Sequence, residues 1–168
     1  MEKIKGRVFV LGDNVDTDQI LPGYAMAEPF DQLGKYALAG CPGLDFVKRV
    51  RPGDIIVAGR NFGCGSSREQ APIALKMSGV GLVVAGGFGR IFRRNAINIG
   101  LPVYAADIAS LVKDGDEIEA DLEKGTIAYP GGILTAAPLS PSVLKTLKYG
   151  GLIPRVRAEL AQSNHSTK

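Results

Sequence analysis

The strongest indication of the fold is a glycine-rich turn, Gly63-Cys64-Gly65-Ser66-Ser67-Arg68-Glu69. The short apolar run before it, residues 54–58, has the pattern of a buried strand. The segment after it, residues 70–79, has the pattern of a helix that stops at a glycine. A strand, a tight turn and a helix in this order predict an α/β unit, in which ligands collect at the turn. Backbone N–H groups and the positive end of the helix dipole favour an anion there.

Known turn motifs do not match this stretch. It contains no lysine for a P-loop, and Arg68 stands where a dinucleotide fingerprint needs its third glycine. No glycine follows Ser66, as the hydrolase nucleophile elbow requires. Helix capping is an alternative, because Ser66 and Glu69 have the spacing of a capping box. Pro72 argues against capping, since a helix capped by Ser66 would carry this proline in its interior.

The remaining pattern predicts one compact domain. Strands are expected at residues 6–12, 81–86 and 101–105, with helices at 88–98 and 141–149. Residues 118–122 and 126–129 flank a glycine turn and predict a hairpin. A helical turn and a loop are expected between residues 30 and 50, without an assigned role. These elements predict a single compact α/β domain over residues 1–160 and a loose polar tail over residues 161–168.

Composition narrows the class of protein. The chain has 168 residues, of which 45% are hydrophobic and 22% charged, as is usual for a globular domain. No apolar run reaches membrane length and no secretory leader pattern opens the chain, so a cytoplasmic protein without membrane contact is expected. The net charge of +3 is too mild to predict nucleic-acid binding. The aspartate-rich residues 13–18 lack the glycine and glutamate of a calcium loop, so no metal ligand is assigned.

Three stretches together resemble one known family. The central turn is similar to the Gly-x-Gly-Ser-Ser-Arg-Glu signature of the swivelling domain in the aconitase superfamily. Residues 16–22 are similar to the early Thr-Asp loop of that domain, and residues 87–95 with 100–102 are similar to its segment after the next strand. The resemblance covers residues 4 to 155. Because the domain stands alone, it most resembles the small subunits of the 3-isopropylmalate dehydratases.

The resemblance implies a swivelling β/β/α fold and a hydro-lyase that is active only with a large subunit, as a heterodimer or heterotetramer. It implies removal and re-addition of water on a small hydroxy-dicarboxylate, with a 4Fe–4S cluster. Such clusters need several thiolates, and this chain has only two cysteines, Cys41 and Cys64. The cluster is therefore expected on the large subunit, and none on this chain.

Roles for individual residues also follow from the resemblance. Ser66 is expected to be the catalytic base, acting as an alkoxide that the turn and Arg68 stabilise. Arg68 is expected to bind a substrate carboxylate. Ser67 is expected to donate a hydrogen bond to substrate, and Thr17 and Asp18 to orient groups around the base.

The same resemblance assigns substrate selection to a loop that contains Tyr24, Ala25 and Met26. Aconitase and homoaconitase-type small subunits carry an arginine in this loop, and this chain has none. A buried substrate carboxylate would lack a partner there, whereas an alkyl group would be accepted. The expected reaction is therefore the isomerisation of 2- and 3-isopropylmalate in leucine biosynthesis. Another alkylmalate, such as 2,3-dimethylmalate or methylmalate, is the alternative.

Two other classes of protein compete with the enzyme. A phosphohistidine carrier would need a histidine in a structured loop, and the single histidine, His165, lies near the end of the chain. A non-catalytic anion-binding module could use the same Ser-Ser-Arg turn. Arg90, Arg93 and Arg94 are expected to form a solvated or partner-facing basic surface.

Overall fold

The structure is a computed structural model that describes residues 1–166. The strands are β1 (Ile4–Val10), β2 (Ile55–Ala58), β3 (Leu82–Ala85), β4 (Val103–Ala105), β5 (Glu117–Asp121), β6 (Thr126–Tyr129) and β7 (Gly132–Thr135). The α-helices are α1 (Thr17–Ile20), α2 (Phe46–Arg49), α3 (Gln70–Met77), α4 (Arg90–Asn98), α5 (Pro141–Lys148) and α6 (Leu152–Ser166). Short 3-10 helices span Gly23–Ala25, Phe30–Tyr36 and Ala109–Leu111.

All seven strands belong to one sheet, in the order β4-β3-β2-β1-β5-β6-β7. The strands β1 to β4 are parallel, with Val8 opposite Ile55. The strands β5 to β7 are antiparallel and join at β1, where Ile4 lies opposite Ala120. Because the carboxyl ends of parallel strands meet at one edge, the loops after β1, β2 and β3 lie side by side.

The core is divided between the two faces of the sheet. Phe9 and Ile56 pack on one face with buried side chains of α3 and α4. Val8 and Ile55, their neighbours in sequence, pack on the other face with residues of β5 and β6 and with Leu144 of α5. Side chains alternate along a strand, so both faces of the parallel half are covered. This explains why β2 and β3 are continuous apolar runs rather than alternating ones.

The mixed α/β architecture and the hairpin of β5 and β6 confirm the prediction from sequence. The segment from residue 30 to 50 holds the 3-10 helix Phe30–Tyr36 and α2. The sequence did not predict β7, an edge strand whose residues are mostly exposed and carry little apolar alternation.

The end of the chain also differs from the prediction. Helix α6 continues to Ser166, through the segment expected to be a loose tail. Several of its apolar residues are exposed, so no buried stripe marks it as a helix. Thr167 and Lys168 lie outside the described residues. None of the described helices has the length and apolar character needed to span a membrane.

Candidate active site

The central turn is fastened to the loop that follows β1. The amide of Gly63 donates to the carbonyl of Val15 at 2.7 Å, and the amide of Thr17 donates to the carbonyl of Cys64 at 2.9 Å. Asp16 and Cys64 also form a parallel bridge. These bonds extend the parallel pairing of β1 and β2 beyond the ends of both strands. They hold the turn beside α1.

Two aspartates of the early loop have structural contacts. Asp16 is the N-cap of α1, where its carboxylate accepts from the amide of Gln19 at 2.8 Å and the Gln19 side chain accepts from the amide of Asp16 at 2.9 Å. Asp13 accepts from the amide of Arg60 at 2.8 Å. The turn chemistry considered for this loop therefore accounts for Asp13 and Asp16. Thr17 and Asp18 contact the central turn instead.

The hydroxyl groups of Ser66 and Thr17 are paired. Thr17 is buried, and its Oγ1 lies 3.2 Å from Oγ of Ser66 and donates to the carbonyl of Ser66 at 3.0 Å. Ser66 itself is exposed. A threonine hydroxyl has one proton, so while it donates to the carbonyl, the neutral Ser66 hydroxyl must be the donor to Thr17. The structure thus joins two expected site residues from separate loops.

Arg68 lies over the same two loops. Its Nη1 forms an ion pair with Oδ1 of Asp18 and donates to the carbonyl of Leu21 at 2.9 Å. The Arg68 side chain is 21% exposed and the Asp18 side chain 66% exposed, so the pair is partly screened by water. Gly23 lies against the guanidinium, since a Cβ at that glycine would be 4.0 Å from Nη2 of Arg68. Arg68 therefore stands between the turn and the start of the 3-10 helix Gly23–Ala25.

Neither serine of the turn caps a helix. Helix α3 begins at Gln70, and its N-cap is Glu69, in a helical conformation and without a side-chain hydrogen bond. Pro72 is the third helical residue, where the amide has no partner within the helix, so the proline is tolerated. The hydroxyl of Ser67 is exposed and has no hydrogen-bond partner among the described residues. The capping alternative for Ser66 is thus excluded.

A cavity of about 290 Å³ opens beside Ser66. It is lined by residues from all three matched stretches: Thr17, Gly63, Cys64, Gly65, Ser66, Arg68, Gly89, Arg90, Ile91 and Phe92. Thr17, Ser66 and Arg68 were expected at the site. Arg90 was not, because the sequence grouped it with Arg93 and Arg94 as a basic surface.

Two glycines bring the start of α4 against the turn. A Cβ at Gly63 would lie 2.3 Å from Cγ of Phe92, and a Cβ at Gly89 would lie 2.6 Å from the carbonyl oxygen of Gly63. Gly63 also has a φ of +79°, which favours glycine. The amide of Gly89 donates to the carbonyl of Phe62 at 2.9 Å. The first residue of α4, Arg90, is therefore fixed beside the turn, and these glycines are the signal that could have predicted it.

The loop expected to select substrate is only partly at the surface. Tyr24 is 72% exposed and packs edge-on against Tyr36, with ring centroids 6.1 Å apart. Met26 is half-buried against the core. Ala25 has no exposed surface and belongs to the core, so the expectation that it faces substrate is corrected. The 3-10 helix Gly23–Ala25 points the side chain of Ala25 into the core.

The two cysteines have different environments. Cys64 lines the cavity, whereas Cys41 packs against the core. Burial, and then the negative charge of Asp16, raise the pKa of the Cys41 thiol. In the part of the chain that the structure describes, no group of three or more His, Cys, Asp or Glu could hold a metal ion. His165 lies in α6, but its side chain is outside the described part.

Known proteins are similar to this chain in sequence. The aconitase C-terminal domain family matches residues 39–106. The "Isopropylmalate/citramalate isomerase small subunit" of Methanocaldococcus jannaschii is 46% identical over 164 residues, which cover 95% of this chain and 97% of that protein. The "3-isopropylmalate dehydratase small subunit" of Aquifex aeolicus is 48% identical, with the same coverage of 95% and 97%. The "Methanogen homoaconitase small subunit" of Methanothermobacter thermautotrophicus is 50% identical, covering 89% of this chain and 88% of that protein.

A solved structure agrees with the fold. The crystal structure of 3-isopropylmalate dehydratase from Methanocaldococcus jannaschii superposes with a TM-score of 0.90 at 42% sequence identity. The match covers 98% of this chain and 99% of that one. The similarity therefore extends over the whole domain, including both halves of the sheet.

Proposed function

Because this chain belongs to the family of 3-isopropylmalate dehydratase small subunits, we propose that it is the small subunit of a two-chain hydro-lyase. The enzyme dehydrates and rehydrates an alkyl-substituted malate and so interconverts 2- and 3-isopropylmalate, a step of leucine biosynthesis. The observation that carries the proposal is the hydroxyl pair of Ser66 and Thr17 beside Arg68 in one cavity. This arrangement offers a proton acceptor and a carboxylate-binding group within reach of one small molecule.

The reaction takes a proton from a carbon beside a carboxylate and expels hydroxide. A 4Fe–4S cluster supplies, when bound, the Lewis acidity that the departing hydroxide needs. We assign this cluster to the large subunit, because Cys41 and Cys64 are too few to hold it and only Cys64 lines the cavity. The residues of this chain supply the base and bind the substrate.

Ser66 is the proposed base. A serine alkoxide needs hydrogen-bond donors and positive charge around it. The hydroxyl of Thr17, 3.2 Å away, can turn from the Ser66 carbonyl to donate to the alkoxide oxygen. The carbonyl keeps a partner when this happens, because the amide of Arg68 also donates to it at 3.0 Å. The Thr17 hydroxyl can therefore stabilise Ser66 by donating to its side-chain oxygen when that oxygen is negatively charged.

Arg68 is the proposed carboxylate-binding residue. Only its Nη1 is engaged by Asp18 and Leu21, so among the described residues Nε and Nη2 have no protein partner. An Arg guanidinium can bind a carboxylate through two parallel hydrogen bonds. Asp18 fixes the orientation of the Arg68 side chain. The exposed hydroxyl of Ser67, the residue next to Ser66, is the proposed donor to a second substrate oxygen.

The loop near Gly23 supports an alkyl-bearing substrate. Tyr24 and Met26, the proposed specificity residues of this loop, carry no positive charge, and an unpaired buried carboxylate is costly. 3-Isopropylmalate is accordingly the proposed substrate, and another alkylmalate such as 2,3-dimethylmalate or methylmalate is the alternative. The relative from Methanothermobacter thermautotrophicus that is named for homoaconitase makes homocitrate-type substrates a necessary comparison.

The partner is a cluster-bearing large subunit, in a heterodimer or heterotetramer, and the complex acts in the cytoplasm on a small hydroxy-dicarboxylate. No nucleic acid or membrane takes part. A non-catalytic anion-binding module would show the same Ser-Ser-Arg turn but would gain no hydratase activity from a large subunit. Activity that appears only in the pair thus distinguishes the two functions.

The decisive experiment reconstitutes this chain with the large subunit of the same organism and with iron and sulfide. Rates are measured for isopropylmalate, methylmalate, 2,3-dimethylmalate and homocitrate, with each subunit alone as control. The proposal expects the highest kcat/KM for isopropylmalate and no activity of this chain alone. A pair with a fully assembled cluster that hydrates none of these compounds would refute the enzyme function.

A further inference from the structure

The residues that line the site cavity include a second arginine, Arg90, in addition to Arg68. No carboxylate side chain is among the residues that line the cavity. Arg68 is already paired with Asp18, whereas among the described residues no carboxylate lies within 4 Å of the Arg90 guanidinium. Arg90 is therefore the cation at this site whose charge the chain itself leaves unpaired.

The position of Arg90 is set by backbone contacts rather than by its own side chain. Gly89 touches the carbonyl of Gly63, and Phe92 fills the space where a Cβ of Gly63 would be. Any residue at the first position of α4 would therefore start beside the Ser66 turn. The same end of α4 has amide groups without partners in the helix, which adds to the positive potential of the cavity.

We propose that Arg90 binds the second carboxylate of the substrate, opposite the carboxylate held by Arg68. This inference rests on the proposed function, since a malate carries two carboxylates and Arg68 is assigned to only one of them. A guanidinium suits the task because it is always charged and can make two parallel bonds to a carboxylate. Arg90 then acts as a binding residue for both isomers, because both carry the same two carboxylates.

The test compares Arg90→Ala and Arg90→Lys with Arg93→Ala in the reconstituted pair. Arg93 is a matched control: it is an exposed arginine on the same helix, without an ion pair among the described residues, and it does not line the site cavity. We expect Arg90→Ala to raise KM for isopropylmalate about tenfold or more, with a smaller change in kcat. Arg90→Lys should recover part of the loss, and Arg93→Ala should leave KM within about twofold of wild type.

Each rate is measured over a range of large-subunit concentration and extrapolated to saturation. If KM at saturation is unchanged in Arg90→Ala, or if added large subunit restores it, Arg90 serves assembly and the inference is wrong. A wild-type pair that is inactive on every hydroxy-dicarboxylate would instead refute the proposed function. Thermal unfolding of the isolated variants confirms folding, because Arg90 is exposed and its loss should leave the fold intact.

Discussion

Replacing Thr17 with valine tests the hydroxyl pair directly. Valine has nearly the same shape as threonine, so Thr17→Val removes only the buried hydroxyl group and its contacts of 3.0 Å and 3.2 Å to Ser66. The carbonyl of Ser66 still accepts from the amide of Arg68. The free energy of unfolding should therefore fall by only about 1 kcal/mol, the usual net value of one hydrogen bond.

The effect on catalysis should be larger than the effect on stability. The Ser66 alkoxide would lose a donor, and a hydrogen bond to a charged group is worth about 1.5–3 kcal/mol. That energy corresponds to a fall in kcat of about 10- to 160-fold. KM should change little, because Thr17 stabilises the charge on the base rather than binding the substrate.

The assay measures kcat and KM of the reconstituted pair, together with thermal unfolding of the isolated chain. Thr17→Ser is the control, since it keeps the hydroxyl group and loses only a methyl group. A kcat of the valine variant within about twofold of wild type would refute the role of Thr17. Equal losses in the valine and serine variants would show that packing, not the hydroxyl group, is responsible.

Three further changes test other parts of the site. Ser66→Ala should abolish turnover and change thermal unfolding of the isolated chain only slightly, because the side chain is exposed, caps no helix and leaves Thr17 bonded to the Ser66 carbonyl. Gly63→Ala should destabilise the chain by about 1–3 kcal/mol in denaturant unfolding, because a Cβ there would meet Phe92 at 2.3 Å and the backbone has a φ of +79°. Met26→Arg should lower the ratio of kcat/KM for isopropylmalate to that for homocitrate by about tenfold or more, since a guanidinium opposes an alkyl group and can pair with a carboxylate.

Each of these three variants has a matched control variant. Ser67→Ala is the matched variant for Ser66→Ala, and an equal loss in both would place the base elsewhere. Gly43→Ala suits Gly63→Ala, because Gly43 also has a positive φ of +79° but a Cβ there would have no other atom within 4 Å. Met26→Leu is the control for Met26→Arg, because leucine keeps the apolar character. If the ratio of kcat/KM for isopropylmalate to that for homocitrate is unchanged in Met26→Arg, the loop does not face the variable group of the substrate.

The sequence predicted the placement of the loops at the candidate site where that placement depends on local order. The turn from Gly63 to Glu69 and the Thr17 loop each follow a strand, and parallel strands place such loops at one edge. The burial of Ala25 could not be predicted, because it depends on the direction in which one 3-10 turn faces. The sequence did not predict Arg90 at the site, because its position depends on the contact of Gly89 with the carbonyl of Gly63, 26 residues earlier. A local pattern of charged residues cannot indicate such a long-range contact.

The two-sided pairing of β1 has a consequence for the order in which the protein is made. Its parallel partner, β2, begins at Ile55, but its antiparallel partner places Ala120 opposite Ile4. During synthesis, β1 therefore keeps one open edge until β5, more than a hundred residues later in the sequence, has left the ribosome. Open edges of this kind invite wrong pairing. The strand whose loop supplies Thr17 is thus synthesised before its partners β2 and β5 and is fully bonded only after β5 has emerged.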